Sequence, residues 1–255
     1  NEKPGPGRDR QFLQIDADTV GAGNMDADAE ICMMAADCMA ALGIGTGDYL
    51  VRINNRKIMD GLLQRIGLTN EQADYETRRL TILRAIDKYD RLGLAGVRDL
   101  LGAGRRDESG DFTAGAGLDD AQIDTVAGLV GAQGASRPAM LDALEAYIGD
   151  TASGADGIAE LREMDALFTR LGYNVERLCI DPTIVRGLGY YTGPVYEIDL
   201  TFDTQDSEGT VTRFGSVGGG GRYDDLFKRF KGVEIPATGI TIGVSRLAAA
   251  VALLG

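Results

Sequence analysis

The chain has 255 residues, 44% of them hydrophobic, which is enough apolar material for one large domain or for a domain with an insertion, and which disfavours intrinsic disorder. It contains no histidine, so Ser-His-Asp triads, Cys-His pairs, histidine metal ligands and imidazole acid–base catalysts are excluded. Its formal net charge of -13 disfavours nonspecific nucleic-acid binding, which depends on clustered Lys and Arg, so any RNA contact is expected to be local or outside this chain.

The cysteines indicate reduced thiols, because three residues without CxxC spacing fit neither a closed disulfide framework nor a zinc site. The longest apolar stretches, such as Leu247 to Leu254, are far shorter than the roughly 20 residues needed to cross a bilayer. Residues 1–10 lack the apolar segment of a signal peptide. We therefore expect a cytoplasmic protein with no membrane contact and no metal-binding residues of its own.

The first 66 residues predict the order strand, helix, strand, helix. The segment QFLQIDADTVG alternates apolar and polar residues imperfectly and follows a Gly/Pro-rich loop, which predicts a strand. Asp26 or Asp28 then caps a helix that stops at Gly43. Its apolar stripe indicates core packing and consists of Ile31, Met34, Ala35, Cys38 and Leu42.

The second half of this unit follows the same rules. Alternation of Tyr49, Val51 and Ile53 with their neighbours predicts a half-buried strand. Apolar residues at helical spacing after it, namely Ile58, Leu62 and Ile66, predict a helix.

Helical spacing dominates from about Asn70 to Tyr173, and strand signals almost vanish there. The predicted helices run from Leu80 to Leu92, Leu118 to Val130, Met140 to Ile148 and Ile158 to Leu171. The stretch GRRDESGDFTAGAG predicts a loop, in which Arg105 and Arg106 are interpreted as a solvated pair rather than an RNA contact. We interpret this block as a helical insertion domain at 71–172, between core segments 1–70 and 173–255.

Strands return at the end of the chain. In VYEIDLTF, one face holds Tyr196, Ile198, Leu200 and Phe202, and the other carries Glu197 and Asp199, as expected for a sheet beside a polar cavity. TGITIG predicts a last strand that leads directly into the helix SRLAAAVALL. Short links between strands near Gly209 favour antiparallel pairing, so the predicted fold class is α+β with an inserted helical domain.

Three segments indicate chemistry. NEKPGPGRDRQFLQID places Glu2, Lys3, Arg8 and Arg10 on a Pro/Gly loop before a strand with inward polar residues; a charged surface hairpin is the alternative interpretation. VRGLGYYTGPVYEIDL places one guanidinium and two phenols beside a tight turn, where Arg and Tyr at a sheet edge are the alternative. RFGSVGGGGRYDDLFKRF, followed by GITIGVSRL, combines a glycine run that allows close backbone approach with Arg246 at a strand-to-helix junction.

In this order the segments resemble the histidyl-tRNA synthetases, a class II family built on an antiparallel sheet flanked by helices. NEKPGPGRDRQFLQ is similar to their motif 2 loop, RGLGYYTGPVYE to their histidine-binding signature, and GGGGRYDDL with GITIGVSRL to their glycine-rich strand and motif 3. The likeness is strong over residues 1–70 and 173–255 and approximate between them. Two positions depart from the family pattern: Gly189 and Ser245 stand where acidic residues are frequent.

The resemblance implies ATP-dependent activation of histidine and its transfer to tRNA(His). It implies that Arg186 contacts the histidine carboxylate and the α-phosphate, and that Tyr190 shapes the pocket. Gln14 would receive the α-amino group of histidine, while Asp18 and Tyr191 contact the imidazole nitrogens. ATP would be bound by Glu2, Arg8, Phe12 and Arg246, with Mg2+ bridging the phosphates.

The resemblance also places several family parts outside this chain. The motif 2 arginine that binds the α-phosphate would fall immediately before Asn1. Motif 1, which builds much of the homodimer interface, and the anticodon-binding domain would lie outside as well, so the isolated chain is expected to be inactive.

Two other classes remain as alternatives. One is the synthetase-like regulatory subunit of ATP phosphoribosyltransferase, a binding protein that makes no adenylate and is expected to lack the catalytic arginines. Retention of Arg186 and Arg246 together with Gln14, Asp18 and the motif 2 loop favours the enzyme. The other is a helical interaction protein, which would have no reason to contain the three segments in order.

Overall fold

A computed structural model of the chain describes residues 11–107, 109–187, 189–205 and 211–254. Its strands are β1 Gln14–Val20, β2 Tyr49–Asn55, β3 Gly104–Arg106, β4 Phe112–Ala114, β5 Leu178–Ile180, β6 Pro194–Gln205, β7 Val211–Arg222 and β8 Ala237–Gly243. Its helices are α1 Met25–Ala41, α2 Arg56–Arg65, α3 Tyr75–Ile86, α4 Tyr89–Leu101, α5 Asp120–Val130, α6 Arg137–Ile148, α7 Ala152–Arg170, α8 Asp225–Lys231 and α9 Val244–Leu254. Within those ranges, every helix is too short or too polar to span a bilayer.

The chain divides into two compact units. One comprises residues 1–53, 163–180 and 190–255, and the other comprises 54–162 and 181–189. The bounds 71–172 assigned to the helical insertion from the sequence stay a prediction.

The first unit is built on a sheet in which the described strands follow the order β1-β8-β7-β6-β2-β5. The pairs β1·β8, β8·β7 and β7·β6 are antiparallel, as predicted, whereas β2 and β5 are parallel. The α+β class is therefore confirmed, with a mixed sheet in which antiparallel pairs dominate. Alternation correctly predicted the buried face of β6, where Tyr196, Ile198 and Leu200 have no exposed surface.

Helix α1 packs against β8 and β6, and here two local predictions were wrong. The N-cap is Asn24, while Asp28 lies inside the helix, fully buried against Arg222 of β7. A long-range ion pair therefore overrides the usual preference of Asp for a capping position. The predicted apolar stripe is only partly buried: Leu42 is 49% exposed, and Met39 is buried in its place.

Strand β2 was predicted to be half-buried but is buried on both faces along most of its length. A polar residue of this strand has a charged partner: Nη1 of Arg52 lies 3.5 Å from Oδ2 of Asp199 in β6. Such pairing lets a strand with polar side chains lie in the interior of a sheet.

The second unit contains α2 to α6 and most of α7, which confirms the helical character of this block. The single helix predicted from Leu80 to Leu92 is wrong, because α3 ends at Ile86 and α4 starts at Tyr89. The predicted loop at 104–117 contains an antiparallel hairpin, β3 and β4. Strands of three residues are too short to show an alternating pattern. The link between them is held by the Asp107 carboxylate, which accepts hydrogen bonds from the backbone N–H groups of Ser109 and Asp111.

Candidate active site

The polar face of β1 presents its side chains at every second residue. Gln14, Asp16 and Asp18 share this face and pair with Gly243, Thr241 and Gly239 of β8, respectively. The Gln14 amide donates to the Asp16 carboxylate at 3.3 Å, and the Thr241 hydroxyl donates to the same carboxylate. This part of the sheet is therefore strongly acidic and rich in hydrogen-bond acceptors.

The sheet positions next to Asp18 are glycines and have no side chains. Asp18 pairs with Gly239, which pairs with Gly221 of β7, so the three lie in one row across the sheet. A Cβ atom on Gly239 would lie 2.7 Å from Cγ of Asp18, and one on Gly221 would lie 2.8 Å from Cδ1 of Tyr191. Only glycine lets the Asp18 carboxyl group and the Tyr191 ring approach the backbone this closely.

Three tyrosines gather at this row, and together with Asp18 we call them the Asp18–tyrosine cluster: Asp18, Tyr190, Tyr191 and Tyr223. The Tyr223 hydroxyl donates to the Asp18 carboxylate. The Tyr190 ring stacks on that of Tyr223, with centroids 5.4 Å apart, and meets Tyr191 edge-on at 5.1 Å. Stacked and edge-on geometries are the favourable ones for aromatic pairs, so the rings support one another.

The electrostatics of the cluster keep the phenols of Tyr190 and Tyr223 neutral. Burial, and then the negative charge of Asp18, raise the pKa of Tyr190. Burial, followed by the hydrogen bond to Asp18, raises the pKa of Tyr223. Both hydroxyls are therefore hydrogen-bond donors at physiological pH, beside a carboxylate that accepts.

Arg222 supports the cluster from the opposite face of the sheet. Its Nε donates to Asp28 at 3.0 Å, and its Nη1 donates to the Ala22 carbonyl at 3.2 Å. The Tyr196 hydroxyl donates to the same Asp28 carboxyl group at 2.9 Å. Burial raises the pKa of Asp28, although the hydrogen bond and the charge of Arg222 act in the opposite direction.

The turn before β6 is attached to the same residue. The Thr192 N–H donates to the carbonyl of Arg222 at 2.8 Å, and the Asp224 N–H donates to the Thr192 hydroxyl at 3.1 Å. These bonds fix the backbone beside Tyr191 and Tyr223. Tyr223 and Arg222 were not among the site residues predicted from the sequence, although both stand in the GGGGRYDDL segment.

Arg246 lies at the start of α9, with its guanidinium 4.6 Å from the centroid of the Phe214 ring. Its Nε donates to the Ser216 carbonyl at 2.6 Å, and its Nη2 donates to the carbonyl of Phe214. Two backbone acceptors of β7 therefore orient this arginine. Ser245 accepts a hydrogen bond from the Leu13 N–H at 3.1 Å.

The predicted site residues thus fall into several groups. Asp18, Tyr190 and Tyr191 are brought together, and Gln14 lies on the same face of β1 near the start of α9. Phe12 precedes β1 and is 57% exposed. Arg186 is half-buried and belongs to the second unit. Glu2 and Arg8 lie outside the described residues.

Known proteins resemble this chain over its whole length. The family model for histidyl-tRNA synthetase matches residues 1–247. A histidine–tRNA ligase from Jannaschia sp. is 55% identical over 255 residues, and one from Rhizobium leguminosarum bv. trifolii is 57% identical over 259 aligned residues. Each alignment covers 100% of this chain and 50% of the relative.

Solved structures agree with these sequences. The crystal structure of histidyl-tRNA synthetase from Nostoc sp. aligns with a TM-score of 0.76 and 30% identity, covering 96% of this chain and 52% of that one. The chain therefore spans about half the length of the relatives that it matches.

Proposed function

Because this chain belongs to the histidyl-tRNA synthetase family, we propose that it forms the part of a histidine–tRNA ligase in which histidine is activated by ATP. The first product is histidyl-adenylate, and the second step transfers histidine to tRNA(His). The whole enzyme is proposed to act as a cytoplasmic homodimer. The Asp18–tyrosine cluster is the observation that supports this proposal most strongly.

The cluster suits an imidazole ring. Imidazole presents two nitrogens, of which a neutral ring donates from one and accepts at the other. Asp18 offers an acceptor, and the hydroxyl of Tyr191 can either donate or accept a hydrogen bond. We assign Asp18 and Tyr191 to the two imidazole nitrogens, with Tyr190 packed beside the ring. Bound histidine would cover Asp18, which is exposed, and Tyr191, which is half-buried. An amino acid without these nitrogens would cover them without pairing them, at about 1 to 3 kcal/mol each.

Activation joins a carboxylate oxygen of histidine to the α-phosphorus of ATP, while the bond from that phosphorus to the bridging oxygen of pyrophosphate breaks. Negative charge accumulates on the α-phosphate in the transition state and must be met by fixed cations. We assign this role to Arg186, and we assign the α-amino group of histidine to Gln14. Guanidinium groups suit oxyanions because their planar donors bind two oxygens at once.

ATP would lie near the start of α9. We propose that Arg246 binds the triphosphate and stacks on one face of the adenine. Two backbone carbonyls of β7 already orient this arginine. Phe12, largely exposed just before β1, would cover the other face of adenine. Glu2 and Arg8 are proposed to complete ATP binding.

Magnesium would be held chiefly by the phosphates. Mg2+ usually keeps several waters and takes few protein ligands when it binds a nucleotide. Among the described residues, acidic and cysteine side chains form no group of three or more suited to a metal ion. We propose that the ion arrives with ATP and neutralises phosphate charge.

Histidine-dependent ATP–pyrophosphate exchange by the full-length protein tests the proposal. We expect exchange with histidine, and an exchange rate at least about 100-fold lower with glutamine or phenylalanine at equal concentration. Histidine binding without exchange would instead assign the chain to the regulatory class that makes no adenylate.

A further inference from the structure

A buried asparagine in the second unit holds the segment that leads to Arg186. Asn54 stands near the end of β2 and has no exposed surface. Its Nδ2 donates to the carbonyl of Pro182 at 3.2 Å and to the carbonyl of Ile184 at 2.9 Å. One side chain therefore holds two carbonyls that lie two residues apart, 128 and 130 positions further along the chain.

Among the described residues, Asn54 makes side-chain hydrogen bonds only through its amide nitrogen. Its Oδ1 is buried and has no hydrogen-bond partner among the described residues. A buried polar atom without a partner is costly and calls for an explanation, because most such atoms in folded proteins are satisfied. Asn54 uses only its donors, and both point at the 182–184 backbone.

The same backbone is held at a second point. The Asp181 carboxylate accepts from the backbone N–H of Thr183 at 2.9 Å and from its hydroxyl at 2.6 Å, which forms a tight turn. Ile184 and Val185 are buried immediately before Arg186. Segment 181–185 is thus fixed by a turn, by two buried side chains and by the Asn54 amide.

We propose that Asn54 is a positioning residue for Arg186: by holding the Pro182 and Ile184 carbonyls, it sets the backbone from which the Arg186 guanidinium reaches the reacting phosphate. The inference rests on the proposed function, which assigns Arg186 to the transition state. Small displacements of such a group are costly, since a misplacement of about 1 Å can lower turnover about 100-fold. Loss of the Asn54 donors should therefore lower kcat and change substrate KM little.

Asn55 provides a matched control. It is the next residue, is also fully buried, and makes the same number of side-chain hydrogen bonds, accepting from the Lys57 N–H and donating to Glu160. Its partners lie in α2 and α7, away from the 181–186 segment. Asn55→Leu therefore removes comparable stabilising bonds without releasing the backbone next to Arg186.

The experiment measures ATP–pyrophosphate exchange in full-length protein with Asn54→Leu, Asn55→Leu, Arg186→Ala and Asn54→Leu/Arg186→Ala. We expect kcat to fall roughly 10- to 100-fold for Asn54→Leu, with histidine KM within about 3-fold, and to stay within about 3-fold for Asn55→Leu. In the Arg186→Ala background, Asn54→Leu should add less than about 3-fold, since both changes act through one group.

The outcomes separate this inference from the proposed function. Normal kcat in Asn54→Leu, equal losses in the two leucine variants, or additive losses in the double variant would overturn the positioning role. Near-normal kcat in Arg186→Ala would instead overturn the assignment of Arg186 itself. If Asn54→Leu does not fold, Asn54→Ser replaces it: its hydroxyl can donate to at most one of the two carbonyls, so an unchanged kcat in that folded variant also contradicts the proposal.

Discussion

Replacing Gly239 by alanine should damage histidine binding through a single added methyl group. The new Cβ would lie 2.7 Å from Cγ of Asp18, closer still to its Oδ1, and 2.9 Å from the Ala17 carbonyl oxygen. Ordinary contact begins at 3.4 Å, so Cγ must move by about 0.7 Å, the difference between those two distances, and Oδ1 must move further. The contact with the Ala17 carbonyl is also too short, so β1 and β8 must separate slightly, while the larger displacement falls on the Asp18 side chain.

The size of the effect follows from the hydrogen bond that Asp18 is proposed to make with imidazole. A hydrogen bond to a charged group contributes about 1.5 to 3 kcal/mol, and each 1.4 kcal/mol is a factor of ten, so histidine KM should rise roughly 10- to 150-fold. Turnover at saturating histidine should fall less, because the contact is made before and during reaction.

Pyrophosphate exchange over a range of histidine concentrations gives both constants. Gly243→Ala is the control, since Gly243 lies on the same face of β8, yet a Cβ there would meet its nearest neighbour at 3.4 Å. Gly243→Ala should leave histidine KM within about 2-fold. A folded Gly239→Ala protein with unchanged histidine KM would refute the assignment of Asp18.

Other predictions test the rest of the site and its support. Asp18→Ala should raise histidine KM more than it lowers kcat in pyrophosphate exchange, and a pure loss of kcat would contradict its binding role. Arg222→Ala should lower the free energy of unfolding in urea by about 3 to 5 kcal/mol, because Asp28 is left buried without its cation. The double change Asp28→Leu/Arg222→Met should lower it much less. Equal losses in the two variants would show that the ion pair is not responsible. Burial of Asp37 acts to raise its pKa, but hydrogen bonds from Tyr173 and Arg177 outweigh it and lower that pKa below 3.8. The stabilisation by Asp37 should therefore be complete above pH 3.8 and lost as pH falls through the lowered pKa. In urea unfolding, the free energies of unfolding of Asp37→Asn and the unaltered protein should differ by no more than about 1 kcal/mol, and this difference should vanish at lower pH.

The sequence predicted those parts of the fold in which local pattern and tertiary contact agree. Strand β6 shows this best, since its alternating residues are the ones that the core buries. The order of three motifs also identified the family and named Asp18, Tyr190 and Tyr191, which the fold brings together. Residues from β1 and from the turn before β6 meet there because the intervening strands β7 and β8 place glycines between them.

Long-range partners account for what the sequence could not predict. Asp28 looks like a helix cap until Arg222, 194 positions away, is seen to hold it inside α1. Asn54 looks like one polar residue of a half-buried strand, and only the fold brings the 182–184 carbonyls to its amide. The β3–β4 hairpin was missed for a different reason, since three-residue strands have no readable period.

The central claim, that this site makes histidyl-adenylate, is tested most directly by single-turnover formation of that product in full-length protein with limiting labelled ATP and saturating histidine. We predict near-stoichiometric histidyl-adenylate in the unaltered protein and a rate roughly 100- to 1000-fold lower in Arg186→Ala. No adenylate in the unaltered protein, or equal rates in the two, would contradict it.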